Sequence, residues 1–255
     1  MGKQEKINED FITNQYESGI KNYSDYTKNV GLWESEEHVF KQYLDTSNQI
    51  LDLGCGTGRT TFALEQLGFK NIIGVDLTSE MIAEALKLNQ HFDKNIDFRV
   101  GDARNLQFID AAFDAVIFSF NGLMSIPGKA NRDQAFSDIN RVLKPHGIFV
   151  FTTHDRDKEL QFLEFWKEEA IRWKNGQQHP KLYEFGDLIT HSKNETREIY
   201  IHIPDQATIL NCLQENGFDL LETFYRIDRF DESEMITAMS GECRFWIAKK
   251  KVFED

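Results

Sequence analysis

The sequence predicts an α/β fold, a doubly wound and mostly parallel sheet covered by helices on both faces. Two observations carry this. From Gln49 onward short apolar runs alternate with segments of helical period, and the run Phe113–Phe120 is nearly all apolar, as a strand buried on both faces must be.

The elements follow in order. Gln49–Leu53 reads as the first strand, and a helix from about Arg59 to Leu67 is closed by Gly68. A strand at Asn71–Val75, a helix from Ser79 to about Gln90 and a strand at Ile96–Val100 come next. After the central run, Ala130–Leu143 repeats apolar residues at Ala135, Phe136, Ile139, Val142 and Leu143, which lays one helix face on a sheet before Pro145-His146-Gly147 breaks it. Ile148–Thr153 is the following strand. A helix at about Gln206–Glu215 before Gly217, a strand at Leu220–Ile227 and a last strand at Cys243–Lys249 resume the rhythm.

Between these, the texture changes. Asp155–Lys174 is highly charged yet carries Leu160, Phe162, Leu163, Phe165, Trp166, Ile171 and Trp173, an amphipathic stripe expected to pack a lid. Gly176, Pro180 and Gly186 follow, and Glu198–Ile203 alternates as a strand does. The expected organisation is therefore N-terminal helices and a core over 1–155, a lid or substrate-side insertion over 156–203, and the C-terminal part of the core sheet over 204–255.

The chain has 255 residues, 40% hydrophobic and 28% charged, enough for a sizeable core. A formal net charge of -13 repels a phosphate backbone, so a nucleic-acid partner is not expected. Cys55, Cys212 and Cys243 are odd in number and widely spaced, which suggests neither a disulfide framework nor a zinc site and points to a cytoplasmic setting. No run reaches the roughly 18 apolar residues that a membrane span needs, and Met1 to Asp10 reads as neither an export signal nor an anchor. The seven histidines show no ligand spacing, so no metal is expected.

Leu51-Asp52-Leu53-Gly54-Cys55-Gly56-Thr57-Gly58 is an apolar strand with one acid, running into three alternating glycines at the start of a helix. Such a turn brings backbone N–H groups close to a ligand. A dinucleotide loop, G-x-G-x-x-G, would need glycine at position 59, where Arg59 stands, which argues against a nicotinamide oxidoreductase. Asp52 suits a ligand with a cationic amino group.

This stretch resembles motif I of the class I S-adenosylmethionine-dependent methyltransferases, and further stations fall in the family's order over about residues 45–155. Gly74-Val75-Asp76-Leu77-Thr78-Ser79-Glu80-Met81 resembles the second-strand end, which implies that Asp76 takes both ribose hydroxyls and that Leu77 or Met81 flanks adenine. Val100-Gly101-Asp102-Ala103 resembles the adenine station, with Asp102 accepting from the exocyclic amine and the Ala103 amide facing the ring. Phe113–Ser119 resembles the fourth strand, whose end at Ser119 passes beneath the methyl donor. The implied fold is a Rossmann-like seven-stranded sheet with an antiparallel last strand. The implied cofactor is S-adenosylmethionine, held by Asp52, Gly54, Cys55, Gly56, Gly58, Asp76, Leu77, Met81, Asp102, Ala103 and Ser119. His146 departs from the family, which tends to have glycine there.

The implied chemistry is in-line methyl transfer to a small-molecule acceptor, a reaction that gains most from alignment and water exclusion. No Asn-Pro-Pro-Tyr run follows the fourth strand and no Pro-Cys pair occurs, so base-amine and C5-cytosine chemistries are not expected. His154, just after the fifth strand, and Tyr23, in a segment with Tyr16, Tyr26 and Trp33, are candidates for the substrate side. No catalytic residue is singled out. The competing readings are a non-catalytic S-adenosylmethionine-binding module and an NAD-dependent oxidoreductase.

Overall fold

Alternation along the strands decides which helices cover which face of the sheet. In β5 (Leu143–Thr153) Phe149 and Phe151 join the buried cluster that holds Phe136 and Ile139, whereas Val150 belongs to the opposite cluster with Phe40 and Leu64. The computed structural model describes residues 5–158, 163–191 and 198–252. Leu160 and Phe162 of the expected stripe lie outside them.

Seven strands form the main sheet in the order β3-β2-β1-β4-β5-β9-β8. They are β1 (Gln49–Leu53), β2 (Asn71–Asp76), β3 (Asp97–Val100), β4 (Phe113–Phe118), β5, β8 (Phe218–Tyr225) and β9 (Arg244–Lys250). The first five run parallel; β9 is antiparallel to both neighbours and closes the sheet as expected. Helices α4 (Arg59–Gln66), α5 (Ser79–His91), α6 (Lys129–Val142) and α8 (Gln206–Glu215) stand at or near the expected positions. The short α9 (Glu234–Ser240), capped by the Ser233 side chain accepting from the Ile236 amide, was not foreseen.

Three expectations change. β8 is Phe218–Tyr225 rather than Leu220–Ile227, because Arg226–Asp228 turn into a short 3-10 helix. β4 stops at Phe118 rather than Phe120, because Phe120 and Asn121 take left-handed backbone (φ 52° and 61°), which no ladder accommodates. The Pro145-His146-Gly147 step does not separate α6 from β5; it is an irregularity inside β5, where pairing with β4 jumps from Phe113↔Leu143 to Ala115↔Ile148. His146 sits there at φ 63°, a backbone that ordinarily favours glycine.

Ahead of the core lie α1 (Glu9–Glu17), α2 (Ile20–Asn29) and α3 (Glu34–Tyr43). Over the 156–203 stretch, α7 (Leu163–Lys174) is followed by a separate antiparallel pair, β6 (Asp187–His191) and β7 (Glu198–His202). This pair packs on α1: Ile7, Ile12, Leu182 and Tyr200 form one buried cluster, and the Gln15 amide both accepts from the Tyr200 N–H (2.9 Å) and donates to its carbonyl (3.3 Å). Helix α3 is fixed to α4 by a bidentate ion pair, Glu36–Arg59, at 2.6 and 2.7 Å with the Trp33 ring 5.0 Å from the guanidinium. Both partners are almost wholly buried.

Removing one partner of such a pair strands a charge in the interior. Glu36→Gln should lower the unfolding free energy by about 3–5 kcal/mol in denaturant titration, and Glu36→Leu/Arg59→Met should recover most of it. An unshifted midpoint in the single variant would show that the pair does not hold α3.

Candidate functional site

The strand order reverses between β1 and β4, so the carboxyl ends of these two strands open a crevice, the place where open α/β sheets put their ligands. A cavity of about 1140 Å³ of atom-free space, part of it open to solvent, fills it. Its wall is mostly apolar with a few polar groups, as ligand sites tend to be.

The β1–α4 turn forms its floor. Gly54 and Gly56 take left-handed backbone (φ 66° and 55°). A Cβ on Gly54 would stand 2.6 Å from the Phe118 ring, whereas one on Gly56 would meet nothing within 4 Å, so the Gly56 backbone borders open space. From the next strand, Asp76 reaches back to this turn: Oδ2 accepts from the Gly56 amide and Oδ1 from the Thr78 amide, both at 2.8 Å. Burial raises the Asp76 pKa while these two N–H groups oppose the rise. Each oxygen retains a lone pair for a ligand hydroxyl.

Of the residues expected at the cofactor, Gly54, Cys55, Gly56, Asp76, Leu77, Met81, Asp102, Ala103 and Ser119 line this one cavity, and Tyr23 lines it from α2. Three expected residues do not. Asp52 is wholly buried behind the turn, its Oδ2 accepting from the Thr61 hydroxyl (2.5 Å), and burial pushes its pKa up to about 7. Gly58 caps α4 with Phe62 and Phe98 against the side where a Cβ would stand, so it serves packing. His154 turns away from the cavity, its Nδ1 2.6 Å from the Glu242 carbonyl and its Nε2 3.5 Å from the Asn121 amide nitrogen.

Asp102 lies at the cavity but is engaged: Arg104 Nε and Nη2 donate to its carboxylate at 2.6–2.9 Å, and Arg104 also bonds Glu9 on α1. Sequence reasoning missed several lining residues, including Thr60, whose hydroxyl lies 3.1 Å from that of Ser119, together with Phe120, Ser125 and Met239. Arg59 lines the wall too, beyond its part in excluding a dinucleotide loop; its partner Glu36 lies 23 positions upstream, which no local motif signals.

Among the described residues, one group of metal-ligand type comes together, Glu184, Asp187 and His202. Its atoms are already occupied. Asp187 accepts from the Tyr200 hydroxyl, His202 Nδ1 and the amides of Tyr183 and Glu184, while Glu184 pairs with Arg132 of α6 at 2.7 Å. The set ties β6–β7 to the core.

The Asp52 environment gives a pH dependence of known sign. A carboxyl whose folded pKa is near 7 and whose unfolded pKa is near 3.9 binds more protons when folded, so its contribution to stability is lost as pH rises from about 4 to 7. Thermal unfolding of wild type and Asp52→Asn should therefore diverge over that window, the wild type losing a few kcal/mol relative to the variant. Parallel curves would mean that Asp52 stays ionised in the fold.

Residues 50–147 match the methyltransferase domain family. The chain is 30% identical over 183 residues to a demethylmenaquinone methyltransferase of Lactiplantibacillus plantarum, covering 69% of this chain and 72% of that protein. It is 35% identical over 115 residues to YqeM of Bacillus subtilis, a match that spans 45% of this chain and 46% of YqeM. A crystal structure of an S-adenosylmethionine-dependent methyltransferase from Methanosarcina mazei shares the fold, with a TM-score of 0.69 at 21% identity over 88% of this chain and 100% of that one. The chain belongs to the class I S-adenosylmethionine-dependent methyltransferases, and S-adenosylmethionine is its cofactor.

Proposed function

We propose that the protein transfers the methyl group of S-adenosylmethionine to a small-molecule acceptor seated between the end of β4 and the tyrosines of α1 and α2. One observation carries the reading: a single cavity joins the ends of β1, β2 and β4 and the loop after β3 to an aromatic wall contributed by the N-terminal helices.

The residues on the cofactor side fit a nucleoside. Asp76 would accept from both ribose hydroxyls, Leu77 and Met81 would flank the base, and the Gly56 border leaves room for the chain beyond the ribose. Asp102 would serve the exocyclic amine with the lone pairs that Arg104 leaves, and the Ala103 amide would face the ring. Held by Asp76, Leu77, Met81 and the Gly56 turn, the cofactor would supply an activated methyl group on a sulfonium for in-line transfer to an acceptor lone pair.

What the chain adds is placement and dryness. Ser119 and Phe120 stand where β4 ends beneath the transfer point, and α1 and α2 cover it. The β6–β7 pair acts as an outer brace, because it holds α1 through Gln15 and the Tyr200 cluster. Most of the chain's charge is negative, which favours a small acceptor over a nucleic acid.

Calorimetric titration should show S-adenosylmethionine and S-adenosylhomocysteine binding and NAD not binding. Asp76→Ala should weaken S-adenosylhomocysteine by about 1.5–3 kcal/mol, the scale of lost charge-assisted hydrogen bonds, with an unfolding midpoint that shows a folded variant. An unchanged affinity would remove Asp76 from the ribose role. Release of S-adenosylhomocysteine on incubation with a metabolite extract separates the enzyme from a binding module, which would bind the cofactor and never turn it over.

A further inference from the structure

We propose, on the reading of the site just given, that the acceptor atom is an uncharged amine nitrogen, and that the rings of Tyr16, Tyr23, Tyr26 and Phe120 form the box that receives the ammonium it becomes. All four rings line the cavity. Tyr23 stands at its centre, 6.3 Å from Tyr26 at 82°, 6.2 Å from Phe120 at 85° and 6.0 Å from Tyr16 at 52°. Rings inclined so steeply to one another make adjoining walls rather than a stack. A cation within about 6 Å of several ring faces is attracted by each.

The charges around the cavity point the same way. An anionic acceptor, a carboxylate, phosphate or thiolate, would need a cation, and the two guanidinium groups on the wall are already engaged, Arg59 by Glu36 and Arg104 by Asp102 and Glu9. A neutral hydroxyl would need a base. Of the described carboxylates that line the cavity, Glu9 on α1 and Asp102 are engaged by Arg104 and Asp76 by the Gly56 and Thr78 amides; no described imidazole lines it, and His154 lies on the Glu242 carbonyl. An amine that enters as its free base, having left its proton in solvent, needs neither group. Its lone pair forms the N–C bond, the C–S electrons return to sulfur, the charge arrives on nitrogen among the rings, and any proton on that nitrogen passes to solvent after release.

Ile126, Pro127 and Met239 also line the cavity and offer apolar surface to the rest of the acceptor. The box therefore selects by charge at the reacting atom and by dispersion elsewhere.

The test compares choline with its neutral isostere 3,3-dimethylbutan-1-ol, titrated by calorimetry into the protein with and without S-adenosylhomocysteine. Choline should bind about tenfold more tightly than the alcohol. Tyr23→Leu should bring that ratio close to one, and Tyr23→Phe, which keeps the ring and removes the hydroxyl, should preserve it; thermal melts of both establish that they fold. Equal binding of the two probes by wild type, or a ratio that survives Tyr23→Leu, overturns the proposal. S-adenosylhomocysteine affinity, measured in the same series, decides the cofactor reading separately, because the ring box belongs to the protein alone.

Discussion

A hydrogen bond from the Gly56 amide to Asp76 Oδ2 joins the ends of β1 and β2, and the rest of the site is arranged around it. The two strands run parallel with Leu53 opposite Val75, so the chain leaves both at the same level and the acid of one meets the turn of the other. The left-handed backbone at Gly54 and Gly56 turns that amide toward the carboxylate. A desolvated carboxylate is costly unless N–H groups face it, and Asp76 has two. The carboxylate is thereby fixed in place on the cavity wall, where it keeps acceptor capacity for a ligand.

The aromatic wall depends on a different set of constraints. Helix α2 has little helix-forming bias of its own, being rich in Asn, Ser, Thr and Tyr, and short helices such as α1 to α3 are stabilised mainly by tertiary packing. Their attachments include Glu36 to Arg59, the Tyr16 hydroxyl to that of Ser125, the Thr27 hydroxyl to that of Thr57, and Gln15 to the backbone of Tyr200. A buried ion pair contributes modestly to net stability yet leaves few alternatives for how α3 docks. Because Thr57 belongs to the glycine turn and its hydroxyl lies 2.7 Å from that of Thr27, the helix that carries Tyr23 and Tyr26 is referenced to the turn that borders the cavity.

The residues legible in the sequence were those at strand ends. Asp76, Leu77, Asp102 and Ala103 were legible through the resemblance to the family's strand-end stations, and position at or just past a strand end brings them to one crevice. Asp52 escaped that logic for a reason of period. It shares a face of β1 with Ile50, one residue before the end, so its side chain turns onto α4 and finds Thr61 instead of leaving the strand tip. His154 was placed correctly along the chain but is drawn aside by Glu242, a partner 88 positions away. The left-handed pair Phe120–Asn121 carried no glycine to announce it, so the strand was read two residues too long. Long-range pairing and non-glycine left-handed residues are what local pattern does not encode.

The central claim is that the carboxyl ends of the first strands form a nucleoside pocket that opens onto the tyrosine wall. A crystal structure of the protein with S-adenosylhomocysteine tests it most directly. The account predicts ribose oxygens within hydrogen-bonding distance of both Asp76 oxygens, the base between Met81 and the Asp102–Ala103 segment, and the sulfur facing Tyr23 near the end of β4. Density for the ligand in any other part of the molecule, with the Asp76 oxygens bonded only to the Gly56 and Thr78 amides, would contradict it.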